Sequence, residues 1–180
     1  MRLRRLKRDG IGPDAADTQL AGLSRVADLL QRGGCEYWVF GGWAVDLHAG
    51  SVTRAHDDLD IAVWAHDHEE ITALLAADGW RRAPVEGEDG FTSYERDGVR
   101  LEVAFLARDA DGAVYTPLRT GRGTWPDGSF EDEVGEVDGL RARVVGLRAL
   151  AADKSETRHD PSVAAKDAVD LRTLSALLKI

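Results

Sequence analysis

Two aspartates, Asp58 and Asp60, stand two positions apart in the segment DDLDIAV, where a polar loop leads into an apolar strand. Successive side chains of a strand point to opposite faces, so these two share one face, about 7 Å apart at roughly 3.3 Å rise per residue. Two like charges that close are unfavourable to bury without a counterion, and a divalent cation such as Mg²⁺ accepts both as ligands. The spacing therefore predicts a metal site at the start of this strand.

A third acidic residue stands in a second apolar strand. The segment VRLEVAFL alternates in hydropathy, and Glu102 is a charged residue inside it. Burial of a charge in a strand is unfavourable unless a metal or hydrogen bonds replace the lost water. We therefore expect Glu102 to belong to the same site as the two aspartates.

Two glycines precede this acidic segment. The strand EYWVF is followed by Gly41 and Gly42 and then by WAVDLHAG, which predicts a short helix. Glycines at a helix start leave backbone N–H groups open to phosphate oxygens. The next loop contains Arg54, a guanidinium able to neutralise phosphate charge, and His56, an imidazole able to bond a carboxylate or phosphate. A solvated arginine and a loop-bracing histidine are the alternatives.

The elements that must position these residues are helices packed on a mixed sheet. Apolar residues recur at helical spacing from Asp14 to Gln31 and again in VVGLRALAADK. A last helix is predicted to begin with Asp160 as N-cap and Pro161 at its first position. The chain is thus typical of the α/β class, with helices flanking a central sheet.

Local turn signals place the hairpins and one further helix start. Asp-Gly pairs at Asp97, Asp111 and Asp138 each stand between β-branched or alternating runs and predict two-residue hairpins. Asp67 and Glu70 have the spacing of a capping box at the start of a helix.

Composition limits the classes of function. The chain has 180 residues, 31% of them charged, and a formal net charge of -9, which argues against a general nucleic-acid binder. The single cysteine cannot form an internal disulfide, and no apolar run approaches the length of a membrane span, so a cytoplasmic protein is expected. Residues 1–13 are predicted as a basic, solvated tail, with contact to RNA or an anionic surface as the minor alternative. Residues 14–180 are predicted as one domain with C-terminal helices from about residue 146.

The segment VFGGWAVDLHAGSVTRAHDDLDIAV resembles the signature of the nucleotidyltransferase superfamily. Its long form, GGWAVD…TRxHxDLD, is similar to that of the small aminoglycoside and lincosamide nucleotidyltransferases. The likeness is strongest from Trp38 to Val63, is supported by Glu102 and resumes with KDAVDL near the end. It implies the nucleotidyltransferase fold, a mixed central β-sheet flanked by helices. The catalytic half of the chain is covered well and the substrate-binding half poorly.

The resemblance assigns roles by position. It implies that Gly41 and Gly42 contact the triphosphate and that Asp58 and Asp60 bind Mg²⁺. Glu102 would be the third carboxylate, either a metal ligand or the general base, and its length does not decide between these roles.

Lys166, in KDAVDL, resembles a superfamily lysine of the terminal helix that reaches the phosphates, and Arg54 and His56 are expected on the same phosphate side. The alternative is that Lys166, Asp167 and Asp170 form the exposed face of this helix.

Two further residues are ambiguous. Asp46, on the short helix, would contact substrate or ribose, or else make a structural bond to the following loop. Trp125 lies in a loop with clustered acids, which suits a polyamine or amino-sugar ligand, but it would equally anchor a solvated acidic loop.

The predicted activity is Mg-dependent transfer of a nucleoside monophosphate, AMP from ATP, to a hydroxyl of a small molecule such as an aminoglycoside or lincosamide antibiotic. Two Mg²⁺ ions would stabilise the attacking and leaving oxygens. One alternative is a toxin-type or regulatory enzyme that modifies protein or tRNA, and another is a non-catalytic nucleotide-binding module. Because the chain is short, a homodimer would be one way to complete the acceptor cleft.

Overall fold

The structure is a computed structural model and describes residues 13–179, in which helices pack on a mixed sheet. Residues 1–12 of the predicted basic tail, residues 1–13, therefore lie outside the described residues. The helices are α1 (Pro13–Arg32), α2 (Gly41–Ala49), α3 (His68–Ala77), α4 (Leu147–Lys154) and α5 (Pro161–Leu178). The strands are β1 (Tyr37–Phe40), β2 (Leu59–Trp64), β3 (Arg81–Arg82), β4 (Phe91–Arg96), β5 (Val99–Arg108), β6 (Val114–Leu118), β7 (Gly121–Thr124), β8 (Val134–Val137) and β9 (Leu140–Arg143).

The main sheet has the strand order β1-β2-β5-β4-β3, and β6 pairs with the far end of β5 and with β7. Strands β2 and β5 run parallel, whereas the other paired strands of this sheet run antiparallel. Strands β8 and β9 form a separate two-stranded sheet. The predicted mixed sheet flanked by helices is confirmed.

The register of the central strands brings the predicted site residues to one face of the sheet. Asp60 of β2 is paired with Glu102 of β5, and Phe40 at the end of β1 is paired with Asp60. On the other side of β5, Ser93 of β4 is paired with Glu102. Residues opposite each other in a sheet point to the same face, so these side chains form one row across four strands.

The opposite face of the same strands holds the core. Leu59, Ile61 and Leu101 alternate with the acidic residues along β2 and β5 and are completely buried. The stripe predicted for α1 is buried with them, including Leu23 and Leu30. Each such side chain contributes about 1.5–3 kcal/mol on burial. A slip of one residue in either strand would therefore bury the carboxylates and expose the core.

Two of the three predicted hairpins form as expected. Asp97 and Asp138 each adopt a positive φ, 50° and 48°, followed by a glycine that also has positive φ, as a two-residue type I′ turn requires. The prediction at Asp111 is wrong, because residues 109–113 form a longer loop between β5 and β6. There the Asp109 carboxylate accepts hydrogen bonds from the backbone N–H groups of Asp111 and Ala113, which stabilises a wider turn.

Of the two predicted helix starts, the one at α5 forms as expected and the one at α3 does not. Asp160 caps α5 by accepting a hydrogen bond from the Ser162 backbone N–H at 2.7 Å, as predicted. The predicted capping box at Asp67 and Glu70 does not form, because the Asp67 side chain makes no capping hydrogen bond. Asp67 belongs to a preceding 3₁₀ turn, with φ -91° and ψ 4°, and lacks the extended backbone of an N-cap.

A membrane-spanning helix needs both length and apolar character, and no helix within residues 13–179 combines them.

Candidate active site

Three carboxylates converge on this face of the sheet, at the inner strands β2 and β5. Asp58, Asp60 and Glu102 each offer one oxygen, and these oxygens all lie within 4.8 Å of one another. All three residues are half-buried. The convergence follows from the parallel pairing of β2 with β5, which places a residue of one strand directly beside its partner. We call this group the carboxylate cluster.

The nearby cations do not offset the burial of the clustered carboxylates. Burial raises the pKa of Asp60 well above its usual range, and the charges of Asp58 and Glu102 raise it further. Burial also raises the pKa of Asp58, followed by the charge of Asp57, and that of Glu102, followed by the charge of Asp58. None of the three makes an ion pair with any residue that the structure describes. Oxygen ligands arranged in this way fit a hard divalent cation such as Mg²⁺.

An open helix start adjoins the cluster. Helix α2 begins at Gly41, and Phe40 before it provides no side-chain cap for the first N–H groups. Gly41 has a φ of 65°, and a Cβ atom there would collide with the Asp60 carboxylate. A Cβ atom on Gly42 would collide with the Arg54 and His56 side chains. Gly41 is therefore required for the close approach of α2 to the cluster, and Gly42 for its close approach to Arg54 and His56.

The loop before β2 is held by a buried aspartate. Asp46 accepts hydrogen bonds from the Thr53 backbone N–H at 2.9 Å and from the Thr53 hydroxyl at 2.6 Å. Its other oxygen lies 2.6 Å from the His56 Nε2 atom, and the His56 ring packs against Trp43 at a centroid distance of 4.7 Å. Asp46 thus makes the structural bond that was one of its two predicted roles. His56 braces the loop that leads into Asp58, and its phosphate contact stays a prediction.

Arg54 connects this loop to the C-terminal helix. Its Nε and Nη2 atoms donate to the two carboxylate oxygens of Asp170 at 2.7 and 2.8 Å, and Asp170 is completely buried. Lys154 lies 3.3 Å from the same aspartate and donates to Asp167, which also accepts from Arg158. The alternative in which Asp167 and Asp170 belong to the exposed face of the helix is therefore wrong.

Lys166 reaches the acidic loop from α5. Its ammonium group bonds to the carboxylate of Asp57, the residue before Asp58. That hydrogen bond lowers the pKa of Asp57 and raises the pKa of Lys166. The lysine is thus placed beside the carboxylate cluster, and its contact with phosphate stays a prediction.

Aromatic residues border the cluster on the β1 side. The Trp125 indole N–H donates to the Thr116 hydroxyl at 2.9 Å, and its ring meets Phe40 and Phe130 edge to face at centroid distances of 5.3 and 5.0 Å. Trp125 is therefore an anchored residue, which is the structural alternative considered for it. Phe40 lies opposite Asp60 in the sheet and connects this aromatic group to the cluster.

Sequence reasoning missed two neighbours of the cluster. Phe40 is placed beside Asp60 by strand pairing, which no local pattern reveals. Arg100 stands two positions before Glu102 in the same strand, and its charge acts on both Asp58 and Glu102. The two-residue period that drew attention to Glu102 also identifies Arg100 as its neighbour on the same face.

A cavity of about 710 Å³ lies away from the cluster, between α1 and the β4–β5 hairpin. Its lining includes Arg25, Asp78 and Arg96, which already pair with one another at 2.5–2.6 Å. None of the three clustered carboxylates lines it.

The fold is that of the nucleotidyltransferases. Residues 22–173 match the family described as Aminoglycoside-2''-adenylyltransferase, so the chain belongs to that family. The fold and family predicted from the motif are thereby confirmed.

Two solved structures resemble the chain over most of its length. The lincomycin-bound lincosamide antibiotic adenylyltransferase LnuA has a TM-score of 0.69 at 18% identity, over 87% of this chain and 96% of that protein. ANT(2'')-Ia in complex with adenylyl-2''-tobramycin has a TM-score of 0.71 at 22% identity, over 89% and 90%. At these identities the likeness concerns the fold.

Similarity in sequence is more local. The 2''-aminoglycoside nucleotidyltransferases of Escherichia coli and Klebsiella pneumoniae are each 31% identical over 64 residues. That match spans 36% of this chain and 36% of each relative, about a third of either length.

Proposed function

We propose that the protein is a metal-dependent nucleotidyltransferase that transfers a nucleoside monophosphate to a hydroxyl group of an antibiotic. The donor would be ATP, and the acceptor an aminoglycoside or a lincosamide. One observation carries the proposal: within residues 13–179, Asp58, Asp60 and Glu102 converge without an ion-pair partner beside the uncapped start of α2. Membership of the adenylyltransferase family and the antibiotic-modifying neighbours support the choice of acceptor.

Asp58 and Asp60 would hold the metal, and Glu102 would complete its ligands or accept the proton of the attacking hydroxyl. Mg²⁺, when bound, supplies charge stabilisation for the transferring phosphate and for the attacking and leaving oxygens. The acceptor oxygen forms a bond to the α-phosphorus while the bond to pyrophosphate breaks, and the hydroxyl proton passes to a base. No covalent intermediate with the protein is required, since positioning and electrostatics supply the rate gain.

The triphosphate would lie at the start of α2. Gly41 and Gly42 would present their backbone N–H groups to its oxygens, which a side chain there would obstruct. Lys166 would exchange Asp57 for a phosphate oxygen. Arg54 and His56 would contribute to phosphate binding from the side of Gly42, where their side chains occupy the position that a Cβ atom on Gly42 would need.

The remaining features of the proposal concern the whole protein. Residues 14–180 would act as one nucleotidyltransferase domain in the cytoplasm, without membrane or nucleic-acid partners. The net charge of -9 favours an acceptor that carries amino groups, because opposite charge steers association. A homodimer would complete the acceptor cleft. Light scattering of the purified protein measures its oligomeric state in solution.

The decisive experiment is incubation with Mg-ATP or Mg-GTP and a panel of aminoglycosides and lincosamides, read by mass spectrometry. We expect one nucleotidyl adduct, and in Asp60→Asn a rate lower by about 1,000-fold or more. Asp111→Asn makes the same change in an exposed loop and should keep full activity. Full activity of Asp60→Asn would refute the proposal. A nucleotidyl adduct on added protein or tRNA, and none on a small molecule, would indicate the toxin-type or regulatory enzyme. Nucleotide binding without turnover on any acceptor would indicate a non-catalytic binding module.

A further inference from the structure

Arg100 lies beside the carboxylate cluster, and the proposed function gives it no role. The register pairs Leu59 with Leu101, so Arg100, one residue before Leu101 in β5, lies near Asp58, the residue before Leu59. It is two residues from Glu102 and therefore points to the same face. On the other side it is paired with Glu95 of β4, and both side chains are exposed.

Among the described residues, Arg100 differs from the other cations around the site because its side chain has no ion-pair partner. Arg54 pairs with Asp170, Lys154 with Asp167, and Lys166 with Asp57. The Arg100 side chain, by contrast, makes no hydrogen bond or ion pair within residues 13–179, although its backbone is paired with that of Glu95. Its guanidinium is therefore available to a ligand.

The charge of Arg100 acts on two of the three clustered carboxylates. Its register beside Asp58 and its place two residues before Glu102 bring the positive charge of Arg100 near both carboxylates. A positive charge in that position repels a divalent cation bound by the same carboxylates.

A nucleoside triphosphate would reverse the effect of this charge on binding. Its phosphate oxygens are the groups to which a planar guanidinium donates paired hydrogen bonds. The exposed Arg100 side chain has a long flexible stem, so its guanidinium can turn toward bound phosphates without disturbing the strand.

We propose that Arg100 couples metal binding to nucleotide binding, weakening the binding of a metal ion alone and strengthening the binding of the metal–nucleotide complex. This inference rests on the proposed function. Arg100 would thereby keep the carboxylate cluster from filling with metal before the nucleotide arrives.

The test compares Arg100→Gln, which removes the charge, with Arg100→Lys, which keeps it. Arg141→Gln, an exposed arginine of the separate β8–β9 sheet, is the matched control. Mn²⁺ binding is measured by electron paramagnetic resonance, first with the ion alone and then with α,β-methylene-ATP. Thermal unfolding of each variant shows that it is folded.

The two titrations should move in opposite directions. Arg100→Gln should bind Mn²⁺ alone about fivefold more tightly, which corresponds to about 1 kcal/mol. It should bind the Mn²⁺–nucleotide complex about tenfold more weakly, because a charge-assisted hydrogen bond is lost. Arg100→Lys should restore most of both effects, and Arg141→Gln should change neither.

The outcomes separate the inference from the function on which it rests. If wild-type protein binds Mn²⁺ but Arg100→Gln binds it equally well or more weakly, the coupling by Arg100 is refuted and the proposed function stands. If both affinities change in the same direction, Arg100 has a general structural effect and the inference is also refuted. If wild-type and Asp60→Asn both fail to bind Mn²⁺ or its nucleotide complex, the proposed function fails, and the inference with it.

Discussion

Replacing Asp60 by asparagine should stabilise the metal-free protein while abolishing its metal binding. Asp60 is the middle member of the carboxylate cluster, and its pKa is raised first by burial and then by the charges of Asp58 and Glu102. The folded protein therefore holds a proton on Asp60 at pH values where the unfolded chain, with a pKa of about 3.9, has lost it. Stability consequently falls as the pH rises from the unfolded pKa through the raised folded pKa, and it stays lower above that window.

The size of the effect follows from the distances in the cluster. Its oxygens lie within 4.8 Å of one another. Two unit charges at such a distance repel by about 1–3 kcal/mol at effective dielectric constants between roughly 20 and 80. Asparagine has nearly the same shape and removes this repulsion. We therefore expect Asp60→Asn to gain about 1–3 kcal/mol at pH 7–8, which for a domain of this size corresponds to about 3–10 °C in melting temperature.

The assay is thermal unfolding after treatment with a chelator, repeated between pH 4 and pH 8 and then with added Mg²⁺. The gain should shrink toward pH 4, where the wild-type carboxylates are protonated, and Mg²⁺ should stabilise only the wild type. Asp170→Asn is the matched control, because Asp170 is also buried but is paired with Arg54 and Lys154. It should lose about 3–5 kcal/mol, since it leaves buried cations without their partner. A lower melting temperature for metal-free Asp60→Asn than for wild type at pH 8 would refute the reasoning.

Two further predictions concern the glycine bend and the titration of the cluster. Gly42→Ala should lose about 1–3 kcal/mol and raise the nucleotide KM, because the new methyl group meets Arg54 and His56, which Asp170 and Asp46 hold in place. Unfolding and steady-state kinetics measure the two effects, and an unchanged KM would contradict the role given to this bend. Mn²⁺ affinity should begin to fall on acidification at a higher pH than the usual carboxylate range of about 4, because burial raises the pKa values of Asp58, Asp60 and Glu102. Titration by paramagnetic resonance from pH 8 to pH 4 tests this, and a fall confined to the usual range would contradict it.

Local patterns predicted the elements whose signals are short-range and unopposed. The helical period of α1 and the cap at Asp160 needed only neighbouring residues, and the hairpins at Asp97 and Asp138 needed only the positive φ that Asp-Gly pairs adopt. The failures at Asp111 and Asp67 have a common cause. In each case a competing local conformation, an Asp109 side-chain turn or a 3₁₀ turn, took the place of the expected one.

The candidate site depended on contacts that a local pattern does not contain. The two-residue period placed Asp58 and Asp60 on one face, but the approach of Glu102 requires the parallel pairing of β2 with β5. The motif resemblance supplied that relation. The burial of Asp170 was not predictable, because its partner Arg54 is 116 positions away in the chain. An amphipathic pattern indicates exposure for a charged residue unless its distant partner is known.

The central claim, that the three clustered carboxylates hold the catalytic metal, is tested most directly by anomalous diffraction from crystals containing Mn²⁺ and α,β-methylene-ATP. We expect anomalous density within about 2.0–2.4 Å of oxygens of Asp58 and Asp60, the range for hard-cation ligands, with the triphosphate against Gly41 and Gly42. Manganese bound elsewhere on the protein, with these carboxylates free of metal while the nucleotide is present, would contradict the account.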